Sequence, residues 1–251
     1  MEFRARAFGI HLLASAATLA GVLGILWAGW YRWPGWRLTG ALHLAAIMVG
    51  IDVALGPLLT LIVADPGKPR RELRRDIAMI VTMQLLALGY GTTTLWRGRP
   101  LYYAFSVDMI QLVQAADLDP AQVREADRAR LPLAPHWDSR PRWVWAPLPA
   151  DPKLAARIES AAISGGYDVI SMPTYFKPWQ QGLAALHGQL RTVGQERFFS
   201  VAQIAALERR MRERRLPTRI ANSIALTGRG PPMLAVFDPA TLRLLAVLSA
   251  T

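Results

Sequence analysis

The stretch LTGALHLAAIMVGIDVALGPLLTLIVA, residues 38–64, decides how this chain folds. It is longer than the roughly 20 apolar residues that a helix needs to cross the hydrocarbon core of a bilayer. Its single charged residue is Asp52, and a Gly56-Pro57 pair follows four residues later. A charge at mid-bilayer costs at least about 2.5–3.5 kcal/mol, so such residues usually serve a function. Because proline removes a backbone hydrogen bond, the stretch predicts a membrane-spanning helix with a polar, bent point.

Two neighbouring stretches have the same apolar character. FGIHLLASAATLAGVLGILWAGWY covers residues 8–31, and IAMIVTMQLLALGYGTTTLW covers residues 77–96. The first is longer than the roughly 7–15 apolar residues of a signal peptide, and further spans follow it. The sequence therefore predicts a membrane domain, residues 1–98, with three transmembrane helices at about 8–31, 38–64 and 77–96.

The orientation of these helices follows from the charged residues beside them. The connection DPGKPRRELRRD, residues 65–76, carries five basic residues: Lys68, Arg70, Arg71, Arg74 and Arg75. Basic loops stay in the cytoplasm, so the N-terminus is expected there as well and residues 99–251 on the outer side of the membrane. Tryptophans at positions 27, 30, 33, 36 and 96 would all meet the outer interface, which indoles prefer. The basic loop itself fits either a lipid and topology determinant or a docking site for a cytoplasmic partner.

Asp52 has two interpretations within the membrane. In the first, Asp52 is protonated, or is hydrogen-bonded to Gln84 or Tyr90 on the third span or to Thr18 on the first, and joins the three helices. Alternatively, Asp52 and Gly56-Pro57 contact a helix of another protein, which small neighbouring residues would allow to approach closely. No other Asp or Glu lies in a span, which argues against an intramembrane aspartyl protease. His11 and His43 are expected near opposite membrane faces, each in an interfacial hydrogen bond.

The segment 99–251 predicts a separate α+β domain. Two short strands flank Val107-Asp108, helices begin at Asp119 and Asp151, and residues 142–148 form a strand. Two more helices are expected in YFKPWQQGLAALHGQL and SVAQIAALERRMRERR, followed by three strands at the end of the chain. The cluster Tyr175, Phe176 and Trp179 fits either a peptide-contacting patch or the core of the domain.

Catalytic and cofactor chemistry is not expected from this sequence. The chain has no cysteine, and its four histidines lack the HxH or HExxH spacing of metal sites. No G-x-S-x-G turn supports a Ser-His-Asp triad. Of the formal net charge of +11, residues 1–96 contribute +4 and residues 97–251 contribute +7. The basic residues of the first part lie beside apolar segments, which indicates membrane topology rather than nucleic-acid binding. We therefore expect neither an enzyme, nor a cofactor, nor a metal.

Several of these motifs together resemble the TfpX/TfpZ family of type IV pilin accessory proteins. The motifs are RARAFGIHLLAS, GIDVALGPLLTLIV, KPRRELRRDIAMI, MQLLALGYG, YYAFSVDMIQLVQAADLDP and the last strand-turn-strand unit. The resemblance implies an inner-membrane protein that supports the stability or assembly of a type IV pilin, without enzymatic activity. It implies a pilin subunit and the pilus assembly machinery as partners, and it assigns no contact residue.

From the residues themselves we expect the pilin contact at Asp52, Gly56, Pro57, Gln84 and Tyr90. An alternative function is a membrane sensor whose periplasmic domain binds a ligand. Its only cytoplasmic output would be the twelve-residue basic loop, which is short for that role.

Overall fold

The computed structural model describes residues 2–250, which divide into two compact units. The helical unit contains the residues up to Arg32 together with Gly40–Gly98. The sheet unit contains Trp33–Thr39 and the residues from Arg99 onward. The predicted order, three long apolar helices followed by an α+β domain, is confirmed.

The elements of the chain are as follows. The α-helices are α1 (Glu2–Gly29), α2 (Gly35–Leu38), α3 (Ala41–Val49), α4 (Gly56–Val63), α5 (Arg70–Arg97), α6 (Pro120–Arg128), α7 (Pro152–Ile163), α8 (Leu183–Gln189) and α9 (Val201–Glu213). A π-helix, Gly50–Leu55, lies between α3 and α4. The strands are β1 (Pro100–Ser106), β2 (Met109–Gln114), β3 (Arg142–Trp145), β4 (Lys177–Pro178), β5 (Ser223–Thr227), β6 (Met233–Phe237) and β7 (Leu244–Ser249). Single 3₁₀ turns cover Ala115–Asp117, Val169–Ser171, Pro173–Tyr175, Trp179–Gly182 and Val193–Gln195.

The helical unit contains three helices that are long and apolar enough to cross a membrane. They are α1, the continuous helix Ala41–Val63, and α5. Their outward surfaces are apolar: Leu13 is 72% exposed, Ile62 70% and Leu86 69%. Large exposed apolar surfaces of this kind mark contact with lipid or another protein.

The second of these helices changes its winding where the sequence predicts a bend. Gly56 N–H donates to the carbonyl of Ile51, five residues back, which is the hydrogen bond of a π-helix. Pro57 explains the change, because its ring would clash with the carbonyl four residues earlier in a regular α-helix. The distortion therefore lies in Gly50–Leu55, upstream of the Gly56-Pro57 pair, and Asp52 is part of it.

The basic connection is only partly a loop. The sequence predicts a loop over residues 65–76, but α5 begins at Arg70 and contains four of the five basic residues. Arginine, glutamate and leucine are strong helix formers, which accounts for the longer helix.

The sheet unit is built on one mixed seven-stranded sheet in the order β4-β3-β1-β2-β5-β6-β7. The pairs β1–β2, β5–β6 and β6–β7 are antiparallel hairpins, whereas β1–β3 and β2–β5 are parallel. The predicted strands around Val107-Asp108 and the three final strands are confirmed. The predicted helix starts are also confirmed, since Asp119 and Asp151 accept hydrogen bonds from Ala121 N–H and Lys153 N–H.

The expected helix over YFKPWQQGLAALHGQL is wrong in its first half. Residues 177–178 form β4, a 3₁₀ turn follows, and α8 covers only Leu183–Gln189. Pro178 accounts for this, because proline disfavours the helical conformation in the residue before it and cannot continue a helix.

Alternate residues of the strands form cores on both faces of the sheet. On one face, Tyr103, Phe105 and Phe237 pack with Leu186 of α8 and with Leu38 of α2. On the other face, the β1–β3 half packs against α7 through Ile158, and the β5–β7 half packs against α9 through Leu207 and Met211.

The short helix α2 belongs to the core of the sheet unit. Leu38 is fully buried, and Gly230 N–H donates to its carbonyl oxygen at 2.7 Å. A Cβ on Gly230 would lie 2.0 Å from the carbonyl oxygen of Arg37, so only glycine allows this approach. The Gly-Arg-Gly connection between β5 and β6, residues 228–230, is thus a packing site for residues 33–39.

Candidate functional site

A cavity of about 170 Å³ lies inside the helical unit, between α1, the π-helix and α5. Most of its lining is apolar, with Leu19, Val81, Leu85 and Leu88 among the contributing residues. Its polar lining residues are His11, Ser15, Thr18, Asp52 and Gln84. The cavity thus collects polar side chains from three elements that are otherwise strongly apolar.

Asp52 is the charged residue of this cavity. Asp52 is buried and only 4% exposed. Neither Oδ1 nor Oδ2 has a hydrogen-bond partner within residues 2–250. A buried carboxylate normally has a hydrogen-bonding or charged partner, because its desolvation is otherwise uncompensated. Asp52 is therefore the strongest indication of function in the helical unit.

Gln84 holds the backbone of the π-helix. Its Nε2 donates to the carbonyl oxygen of Asp52 at 2.9 Å and to Ser15 Oγ at 3.4 Å. In a π-helix the Asp52 carbonyl would accept from the residue five positions later, which is Pro57 and has no N–H. The Gln84 amide replaces that missing donor and joins all three elements around the cavity.

Gly56 makes room for this amide. A Cβ at position 56 would lie 2.0 Å from Gln84 Nε2 and 2.5 Å from its Oε1. Gly50, in the same π-helix, offers a contrast, because a Cβ there meets nothing within 4 Å among the described residues. The structure brings Gln84 against Asp52 and Gly56, although Gln84 binds the Asp52 backbone and not its carboxylate. The role of Asp52, Gly56, Pro57 and Gln84 as a pilin contact stays a prediction.

Tyr90 does not join this group. It is 75% exposed on α5 and does not line the cavity. Thr18 does line the cavity, but its hydroxyl donates to the carbonyl of Ala14 at 2.9 Å instead of to Asp52. The direction of these side chains depends on how α5 and α1 are rotated, which spacing along one helix does not determine.

The sequence analysis did not place His11 and Ser15 beside Asp52. His11 Nδ1 lies 2.6 Å from Thr60 Oγ1, which ties α1 to α4, and the position of this histidine near a membrane face stays a prediction. Residues 11, 15 and 18 share one face of α1, because positions three and four apart are neighbours on a helix. That spacing of polar residues in an apolar helix was the available signal.

The basic residues predicted to set the topology form two groups in the structure. Lys68 Nζ lies 3.0 Å from Asp76 Oδ2, and Arg75 Nε lies 3.9 Å from Asp76 Oδ1. Arg70, Arg71 and Arg74 are exposed on the first two turns of α5. An exposed basic helix start suits contact with anionic headgroups.

The predicted patch of Tyr175, Phe176 and Trp179 is divided between the two faces of the sheet. Phe176 is buried and packs edge-on against Tyr102, with ring centroids 4.8 Å apart. Trp179 lies on the opposite face, 5.2 Å from the Trp143 ring and 6.1 Å from the Phe237 ring. Tyr175 is half-buried beside the Phe176 cluster.

Trp179 also lines an open groove of about 360 Å³. Trp143, Pro178 and Phe237 are among the other residues that line it. Of the three predicted contact residues, Trp179 is therefore the one with an accessible aromatic surface in a concave site.

Glu196 is a second buried carboxyl group, located in the sheet unit. Burial raises its pKa to about 7, although nearby Arg191 and the N–H of Ala225 favour the charged form. Its Oε1 has no hydrogen-bond partner in the part of the chain that the structure describes. No cluster of three or more His, Asp or Glu residues that could hold a metal is found within residues 2–250.

Comparison with known proteins identifies relatives in one bacterium, Dichelobacter nodosus. The chain is 34% identical over 116 residues to the fimbrial assembly protein of serogroups C1 and C2, and the match covers 46% of this chain and 88% of that protein. The chain belongs to the family of fimbrial assembly proteins. The fimbrial assembly proteins of serogroups I and E1 match at the same identity over 116 residues, 46% of this chain.

The match to the serogroup I and E1 proteins covers 45% of each, so the chain spans about half the length of these relatives. No family model and no solved structure matches the chain. The resemblance noted in the sequence is therefore confirmed as far as fimbrial assembly proteins, and the narrower TfpX/TfpZ assignment stays a prediction.

Proposed function

We propose that this fimbrial assembly family member acts in type IV pilus assembly by binding a pilin subunit in the inner membrane. In this proposal the three apolar helices span the membrane, the basic start of α5 faces the cytoplasm and the sheet unit lies in the periplasm. The role is binding and not catalysis. The family relationship, the apolar helix surfaces and the basic helix start support it.

The observation that carries the proposal is the unpaired carboxylate of Asp52. An intramembrane carboxyl group that is 96% buried is costly unless it is protonated or meets a partner, and the described part of this chain supplies no hydrogen bond to Oδ1 or Oδ2. The rim of the cavity is accessible, since Leu85 lines it and is 59% exposed. An apolar pilin helix packed against Leu85 would bring its own polar group to Asp52.

We place a second pilin contact at the groove beside Trp179. Aromatic side chains that are partly exposed in a concave site are typical anchors of protein interfaces. Tyr175, half-buried on the other face of the sheet, stays a separate candidate, whereas the burial of Phe176 gives that residue a supporting role behind Tyr102.

The test is complementation of a deletion strain. We expect pilin abundance and surface pili to fall when the chain is removed and to recover with the wild-type chain. The variant Asp52→Asn should fail to restore them at equal protein level. Gly50→Ala, a change in the same π-helix with free space around it, should restore them.

Normal pilin abundance and piliation after deletion would contradict the proposed function. Full recovery of pilin abundance and surface pili with Asp52→Asn would mean that Asp52 has no part in this function.

A further inference from the structure

The cavity beside Asp52 has a surplus of hydrogen-bond acceptors. Asp52 Oδ1, Asp52 Oδ2 and Gln84 Oε1 are all buried, and each lacks a donor among residues 2–250. All three oxygens belong to residues that line the same cavity. Leaving a buried acceptor without a donor destabilises the protein, and more strongly when the acceptor is charged.

Several donors around the cavity are already engaged. The Gln84 amide nitrogen donates to the Asp52 carbonyl and to Ser15. The Thr18 hydroxyl donates to Ala14, and His11 is paired with Thr60. The cavity-lining residues that the structure describes include no Lys or Arg. The site therefore presents unpaired acceptor oxygens to a ligand and few hydrogen-bond donors.

From this arrangement we infer that the cavity binds a primary ammonium group, donated by a membrane-embedded partner. An ammonium has three N–H donors and no acceptor, which matches three unpaired oxygens. Its positive charge compensates the buried carboxylate. A cavity of roughly 150 Å³ admits benzene, so the space here of about 170 Å³ accommodates a short alkylammonium chain.

This inference rests on the proposed function, because it names the group with which the pilin or another partner would reach Asp52. Two sources share the chemistry, a lysine side chain and the terminal amine of a chain. The apolar part of the cavity, including Leu19 and Leu88, would hold the carbons next to the nitrogen.

The experiment is calorimetric titration of the full chain, purified in nanodiscs, with n-butylammonium chloride. The comparison ligands are 1-butanol, which is neutral, tetramethylammonium, which lacks N–H donors, and sodium. We expect saturable binding of n-butylammonium alone, weakened at least tenfold in Asp52→Asn. Asp52→Glu should retain part of the affinity, and Gly50→Ala should retain all of it.

Several results would overturn the inference. Equal binding of 1-butanol would show a merely apolar cavity, equal binding of tetramethylammonium would show a site that needs no N–H donor, and equal binding of sodium would show a metal-cation site. An absence of saturable n-butylammonium binding to the wild-type chain would also refute it.

The source of the ammonium is distinguished with two synthetic transmembrane peptides of leucine and alanine. One carries a central lysine and an acetylated N-terminus, and the other has a free N-terminus and no lysine. Asp52-dependent binding of either peptide supports the inference and names the source, whereas binding of neither contradicts it.

The outcome is separable from that of the proposed function. If n-butylammonium does not bind but Asp52→Asn still lowers pilin abundance, only the ammonium inference fails. If n-butylammonium binds and deletion leaves pilin unchanged, the proposed pilin role fails instead.

Discussion

The helical unit and the sheet unit differ in which side chains they bury and which they expose. In the sheet unit the strands β1, β5 and β6 are largely buried, and the helices α6, α7 and α9 begin at Asp or Ser side chains that accept backbone N–H groups. In the helical unit large apolar side chains face outward, and polar side chains collect around an interior cavity. This inversion fits lipid around one unit and water around the other. Asp52 is the acidic side chain in the interior of the helical unit.

The largest expected effect comes from placing a charge on the outward face of each unit. Leu86 and Ile163 are both exposed apolar residues, at 69% and 88%. If Leu86 faces lipid, Leu86→Arg costs about 2.5–3.5 kcal/mol, whereas Ile163→Arg in water stays within about 0.5 kcal/mol. The measurement is the amount of each variant that remains in membranes after carbonate extraction. Equal amounts of the two variants in the membrane fraction would contradict a lipid-facing surface on the helical unit.

The pH dependence of the sheet unit should come largely from Glu196. Its folded-state pKa of about 7 lies above the ordinary value of 4.5, so the folded protein holds the extra proton between these values. The contribution of this proton to the free energy of unfolding is about 3 kcal/mol. It is fully present below pH 4.5 and is lost as the pH rises through 7. Unfolding of the full chain in detergent, followed by tryptophan fluorescence from pH 4 to about 8, measures this slope.

Glu196→Gln should abolish that slope and be more stable than the wild type at high pH. Glu213→Gln, at the exposed end of α9, is the matched control and should keep the slope. A slope unchanged by Glu196→Gln would assign the titration to another group.

A smaller effect is expected where α2 packs in the sheet unit. Gly230→Ala would place a Cβ against the Arg37 carbonyl oxygen. The backbone shift that removes this clash should lower the free energy of unfolding by about 1–3 kcal/mol. Gly194→Ala is the control, because a Cβ there meets nothing within 4 Å in the described part of the chain. Denaturant unfolding of both variants gives the difference, and equal stabilities would mean that residues 33–39 are not held by this turn.

The smallest effects should come from exposed ion pairs, and here the two units should not differ. Arg229 pairs with Asp117 at 2.7 Å in the sheet unit, and Arg4 pairs with Asp65 at 3.2 Å in the helical unit. All four side chains are at least partly exposed, so Arg229→Ala and Arg4→Ala should each cost less than about 1 kcal/mol. High salt should reduce the cost further. A loss above 2 kcal/mol for either variant, measured by thermal unfolding, would identify a pair with more than a surface role.

The sequence predicts the elements of both units better than it predicts their contacts. Apolar length identifies the three long helices, and Asp-Pro pairs identify the starts of α6 and α7, because these signals are local. The parallel pairings of β1 with β3 and of β2 with β5 join distant segments and have no local signal.

The same division applies to the candidate site. Asp52 and Gln84 stand out in the sequence because each is polar in an apolar helix. The contact of His11 with Thr60 spans 49 residues, and the outward direction of Tyr90 depends on helix rotation. The π-helix results from combining Pro57 with the close approach of Gln84, which requires the packed structure.

Site-specific photocrosslinking at two consecutive residues tests the proposed pilin contact most directly. Leu85 lines the cavity rim, and Leu86 is similarly exposed but lies outside the lining. With a photoreactive residue at each position in pilin-producing cells, the account predicts a pilin adduct at position 85 and much less at position 86. Asp52→Asn should reduce the adduct at position 85. Equal adducts at both positions, or pilin adducts only elsewhere in the chain, would contradict a pilin contact at the Asp52 cavity.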